Sequence, residues 1–105
     1  MKLLAVYTTV GRREDARRLA RALVERRLAA CAQISAIESF YSWQGALQQE
    51  GEFRLLLKTT EERYPAVEAA LRELHPYELP AIHAVAVERV FAPYAAWVEA
   101  GSRGA

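Results

Sequence analysis

The stretch Ala30-Cys31-Ala32-Gln33-Ile34-Ser35-Ala36-Ile37-Glu38-Ser39-Phe40-Tyr41-Ser42-Trp43-Gln44-Gly45-Ala46 decides the fold. Ala30, Ala32 and Ile34 alternate with polar Gln33 and Ser35, the period-two pattern of a half-buried strand. Beyond Ala36 the parity changes, and Ile37, Tyr41 and Trp43 share the odd positions. One extra residue swaps the faces of a strand, so a bulge or bend near Ala36 is expected. Gln44-Gly45-Ala46 reads as a turn. In the next strand Phe53, Leu55 and Leu57 alternate with Arg54, Leu56 and Lys58, ending at Thr59. Two strands therefore follow one another in the middle of the chain.

The flanks supply helices. Leu3 to Thr9 is an apolar run of β character, broken by Gly11. Arg12 to Arg27 carries Ala16, Leu19, Ala20, Leu23 and Val24 at helical spacing. Downstream, Thr60 is a candidate N-cap, although Arg63 stands where a capping box would place Glu. Tyr64, Val67, Ala70, Leu71 and Leu74 form a second amphipathic helix, closed by Pro76. Ile82 to Val90 is the fourth strand, and Pro93 opens a terminal helix striped with Tyr94, Trp97 and Val98. The order βαββαβ plus a C-terminal helix predicts an α+β, ferredoxin-like fold. It is a single domain over residues 1–105, with a four-stranded antiparallel sheet, two helices on one face and a tail at 101–105 expected to fray.

Composition narrows the function. At 105 residues the chain holds one core. Its formal net charge of +1 gives no bulk attraction to nucleic acid or to an anionic membrane. The seven arginines between Arg12 and Arg27 are diluted by Glu14, Asp15 and Glu25, and the apolar stripe commits one face to the core. The remainder reads as a solvated face, not a nucleic-acid surface. The lone Cys31 excludes an intrachain disulfide and a multi-thiolate zinc site within one chain, and its apolar surroundings suggest a buried thiol. The N-terminus lacks a long h-region and a small-residue cleavage site, and no stretch approaches a membrane span. A soluble, cytoplasmic protein is expected.

The residues that carry chemistry concentrate in His75-Pro76-Tyr77-Glu78-Leu79-Pro80. Two prolines stiffen this connector and bias His75 and Leu79 away from helix. It presents an imidazole, a phenol and a carboxylate within four positions. Elsewhere the isolated Gly11, Gly45 and Gly51 match neither phosphate-binding fingerprint, and no serine stands in a nucleophile elbow. His75 and His83 are not at zincin spacing. No catalytic residue is assigned. Catalysis would require Glu52, Lys58, His75, Tyr77 or Glu78 to act across a subunit boundary.

Leu56, Val85 and Val87 are out of parity with the other apolar positions of their strands, so both sheet faces carry large apolar groups. Two helices cover one face only. Self-association is the economical way to cover the other. The long hairpin from Ile37 to Phe53 could pair with a neighbour's strand.

Four motifs, Ala29-Ala30-Cys31, Tyr41-Ser42-Trp43-Gln44-Gly45, Glu52 followed by Lys58-Thr59-Thr60, and His75-Pro76-Tyr77-Glu78-Leu79-Pro80, resemble the CutA family of divalent-cation tolerance proteins. The Tyr94 to Trp97 spacing fits too. The resemblance implies a tight homotrimer, similar in architecture to the PII signalling proteins, linked to tolerance of copper and other divalent cations and not established as enzymatic. Some bacterial relatives pair a cysteine on strand one with two consecutive histidines. The corresponding positions here hold Tyr7, Leu74 and His75, so His75 is the one retained candidate metal ligand. The family's Pro-Glu-Ile reads Pro80-Ala81-Ile82, and Gln33 stands where the family has Asn.

The expectation is a trimeric binding or signalling scaffold whose partner is itself. No cofactor is obligatory, and Cu(II) or another divalent cation binds weakly through His75. Tyr41, Trp43, Glu52, Lys58, Tyr77 and Glu78 form a cleft or interface where the connector meets Tyr41 and Trp43 of a neighbouring subunit. The alternative is a PII-like sensor of a small anionic ligand in that inter-subunit cleft.

Overall fold

The centre of the sheet is an antiparallel pair, β1 (Leu3–Val10) against β3 (Ala46–Thr60), in register from Leu3 opposite Thr60 to Val10 opposite Phe53. The outer strands are β2 (Cys31–Trp43), paired with β3, and β4 (Ile82–Val87), paired with β1. The order β2-β3-β1-β4 inserts β3 between two strands that a helix connects, which is the split βαβ arrangement. The structure is a computed structural model that describes residues 2–104.

Helix α1 (Arg13–Glu25) follows β1, and helix α2 (Tyr64–Leu74) follows β3 through a short 3-10 turn at Glu61–Arg63. Thr60 is extended there, as a cap residue should be, but its side chain makes no capping bond. Ala16, Leu19 and Leu23 of α1 and Val67, Ala70 and Leu71 of α2 bury themselves on Val6, Leu55 and Leu57 of the central strands. Each fully buried leucine or valine contributes about 1.5–3 kcal/mol relative to exposure. Both helices lie on this one face. α1 ends in a reciprocal pair of bonds, Leu28 N–H to Leu23 O and Arg27 N–H to Val24 O, around a left-handed Arg27 at φ 57°.

The hairpin departs from expectation. Its register runs from Cys31 opposite Lys58 to Trp43 opposite Ala46 with no extra residue on either side, so there is no bulge at Ala36. The burial pattern changes there for another reason. β1 stops at Val10, opposite Phe53, so the segment from Ala46 to Glu52 pairs only with Ile37–Trp43. This two-stranded arm reaches beyond the helical layer, where no core selects one parity. β3 accordingly starts at Ala46, seven residues before the alternation at Phe53 reveals it. The arm turns at Gln44 and Gly45, both with positive φ (51° and 79°), the backbone that a two-residue hairpin loop requires. It gives the molecule its 45 Å long dimension.

Two boundaries at the other end also shift. β4 ends at Val87 and not Val90, because Val87 faces Leu3 and β1 begins there. The third helix, α3 (Ala92–Gly101), contacts β1 and β3. Its Tyr94 hydroxyl lies 3.7 Å from Cys31 Sγ, on the face opposite the core. There it shields Leu3 and Ala5, and Val98 is fully buried. The tail expected to fray is held as far as Gly104. Ser102 Oγ donates to Val98 O at 2.6 Å, and Gly104 N–H donates to Arg27 O at 2.8 Å. Gly101 sits so close to Ala30 that an added Cβ would lie 2.9 Å from the Ala30 Cβ. Ala105, part of that same expected tail, lies outside the described residues.

Candidate functional site

Strand alternation sorts the candidate residues. On the face away from α1 and α2, one row across the sheet is Cys31, Lys58, Ala5, Val85, and the next is Gln33, Leu56, Tyr7, His83. Tyr7 stacks on His83 with centroids 5.2 Å apart, and the Arg54 guanidinium sits 5.8 Å from the Tyr7 ring. Farther out on the same face, the arm presents Glu52, Glu50, Tyr41 and Trp43. Lys58 lies six residues from Glu52 along β3, on the order of 20 Å. The sequence reading grouped these two, but the structure leaves Lys58 outside the cleft formed by the others.

The connector from α2 to β4 closes that cleft. His75 caps α2 with its backbone N–H on Leu71 O and then turns extended (φ −71°, ψ 135°), as the following proline demands. Its ring is buried. Nε2–H donates to Thr9 O at 2.9 Å and also lies 3.1 Å from Thr8 Oγ1, while Nδ1 accepts the Tyr77 N–H at 3.1 Å. A carbonyl can only accept and a backbone N–H can only donate, so these partners fix the neutral Nε2–H tautomer. Burial, the largest effect, pushes the imidazole pKa below its ordinary value, although the Thr9 carbonyl acts in the opposite direction.

With both ring nitrogens engaged inside the chain, His75 has no lone pair to offer a metal. Tyr7 cannot help, because it points to the opposite sheet face from Thr8. Among the described residues no three His, Cys, Asp or Glu side chains converge as a metal site. Within one chain, His75 as placed therefore has no second or third ligand beside it.

His75 instead aims Tyr77. The Tyr77 phenol packs tilted on the imidazole, 5.0 Å between centroids, and reaches back to Glu52 Oε2 at 2.7 Å. On the arm, the Tyr41 hydroxyl donates to Glu50 Oε1. Both phenol pKa values rise. For Tyr77 burial leads and the Glu52 bond follows, and for Tyr41 the Glu50 bond leads. Both phenols stay protonated donors.

A cavity of about 610 Å³ opens between arm and connector. Tyr41, Trp43, Glu50 and Glu52 line it from the arm, and Pro76, Tyr77, Glu78, Leu79 and Ala81 from the connector. Of the residues expected in the cleft, Tyr41, Trp43, Glu52, Tyr77 and Glu78 line this cavity within one chain. Sequence reasoning missed Glu50, Thr8 and Thr9. The spacing of Glu50 and Glu52, two apart on one strand, was the available signal for the first. Nothing in the sequence marks Thr8 and Thr9 as partners of His75.

These features define an α+β domain of ferredoxin-like topology with a projecting hairpin arm and an acidic, aromatic-walled cleft at the root of that arm. Residues 4–101 match the family model described as CutA1 divalent ion tolerance protein. The divalent-cation tolerance protein CutA of Thermotoga maritima is 41% identical over 96 residues, 91% of this chain and 95% of that one. The solved structure of CutA1 from Oryza sativa superposes with a TM-score of 0.95 at 31% identity, covering 100% of this chain and 97% of its own. That of CutA from Archaeoglobus fulgidus, described as periplasmic, gives 0.93 at 32% identity, covering 96% and 99%. The chain belongs to the CutA1 divalent ion tolerance family.

Proposed function

We propose that this protein is a homotrimeric binding or signalling scaffold in the response to divalent cations, not an enzyme, and that the cleft beneath the arm is its ligand site. The arm carries the argument. Phe40 (58% exposed), Trp43 (46%) and Leu47 (76%) stand on it, and Ala46–Glu52 has an unpaired edge on the side where β1 has ended. An apolar, half-paired ribbon is an aggregation hazard unless another copy covers it. Val85 on the sheet's second face is 53% exposed and adds to the surface another copy would bury. The count of three follows from the family resemblance and from likeness to the PII architecture.

Family membership supports the cation response, and among the described residues of one chain no three metal-ligating side chains converge. Copper or zinc would meet only the cleft carboxylates and bind weakly. An anionic ligand is disfavoured in this cleft because its charged lining is Glu50, Glu52 and Glu78. A cytoplasmic location is part of the proposal, and cell fractionation tests it. Thermal-shift measurements with Cu(II), Zn(II), Mg(II), AMP and ATP test the ligand class. Weak, carboxylate-dependent shifts with the metals and none with the nucleotides are expected. Saturable stabilisation by a nucleotide would instead establish the anion-sensing alternative.

A further inference from the structure

We draw no further inference here: the strongest candidate, the exposed apolar surface that Phe91 and Trp97 give to α3, carries nothing because nothing in the structure shows what covers it.

Discussion

The Tyr77 hydroxyl donates a 2.7 Å hydrogen bond to Glu52 Oε2, tying the helix-to-strand connector to the root of the hairpin arm across twenty-five positions of sequence. The bond holds one wall of the cleft against the other. It follows from His75, whose ring accepts the Tyr77 N–H and sets the direction of the phenol.

Removing that phenol leaves the buried Glu52 carboxylate without its donor. Tyr77→Phe should lower the unfolding free energy by about 1–3 kcal/mol, the cost of an unsatisfied buried group in a charge-assisted bond. Urea denaturation measures it. A loss near zero would mean that solvent already serves Glu52.

The sign of the His75 shift sets a pH dependence. The folded-state pKa is depressed, so as pH falls the unfolded chain takes up the proton first, from about 6.5 downward. The stability tied to neutral His75 is fully present above that pH. It is lost as pH falls from there through the lower folded-state pKa. NMR titration of the ring, alongside urea melts at pH 7.5 and 5, should show a depressed midpoint and a weaker fold in acid. A midpoint above 6.5 would contradict the buried neutral tautomer.

Copper should be indifferent to this histidine. Cu(II) titrations of the wild type and of His75→Gln at neutral pH should give the same weak isotherm, because both ring nitrogens are already bonded inside the chain. A tenfold loss in the variant would show that the ring swings out to coordinate.

At the opposite end, Gly101→Ala should destabilise by about 1–3 kcal/mol, since the new methyl would lie 2.9 Å from Ala30 Cβ and force α3 off the sheet. Thermal melts give the comparison. An unchanged melting temperature would mean that α3 shifts freely.

The sequence displayed the helices and the central strands because one face of each is buried, and burial writes a period of 3.6 or 2 into the residues. Leu19, Leu23, Val67 and Leu71 are legible for that reason. The outer half of β3 was not, because Ala46–Glu52 is held by pairing with β2 and has no core to alternate against. The apparent parity switch at Ala36 had the same origin. The tail looked free because Gly101, Ser102 and Gly104 carry no apolar signal, yet the Ser102 hydroxyl bonded to Val98 O and the Gly104 N–H bonded to Arg27 O hold it. Of the site, Tyr41, Trp43, Glu52, Tyr77 and Glu78 were identifiable as a set. The inward turn of His75 and the distance of Lys58 were not, because both depend on long-range register.

The central claim is that one chain alone is incomplete, its arm and second sheet face covered by two further copies. Multi-angle light scattering on the purified chain at micromolar concentration tests it most directly. The account predicts a single species of about 35 kDa, three chains of 11.8 kDa each. A stable species at 11.8 kDa, with Trp43 and Leu47 left in water, would contradict it.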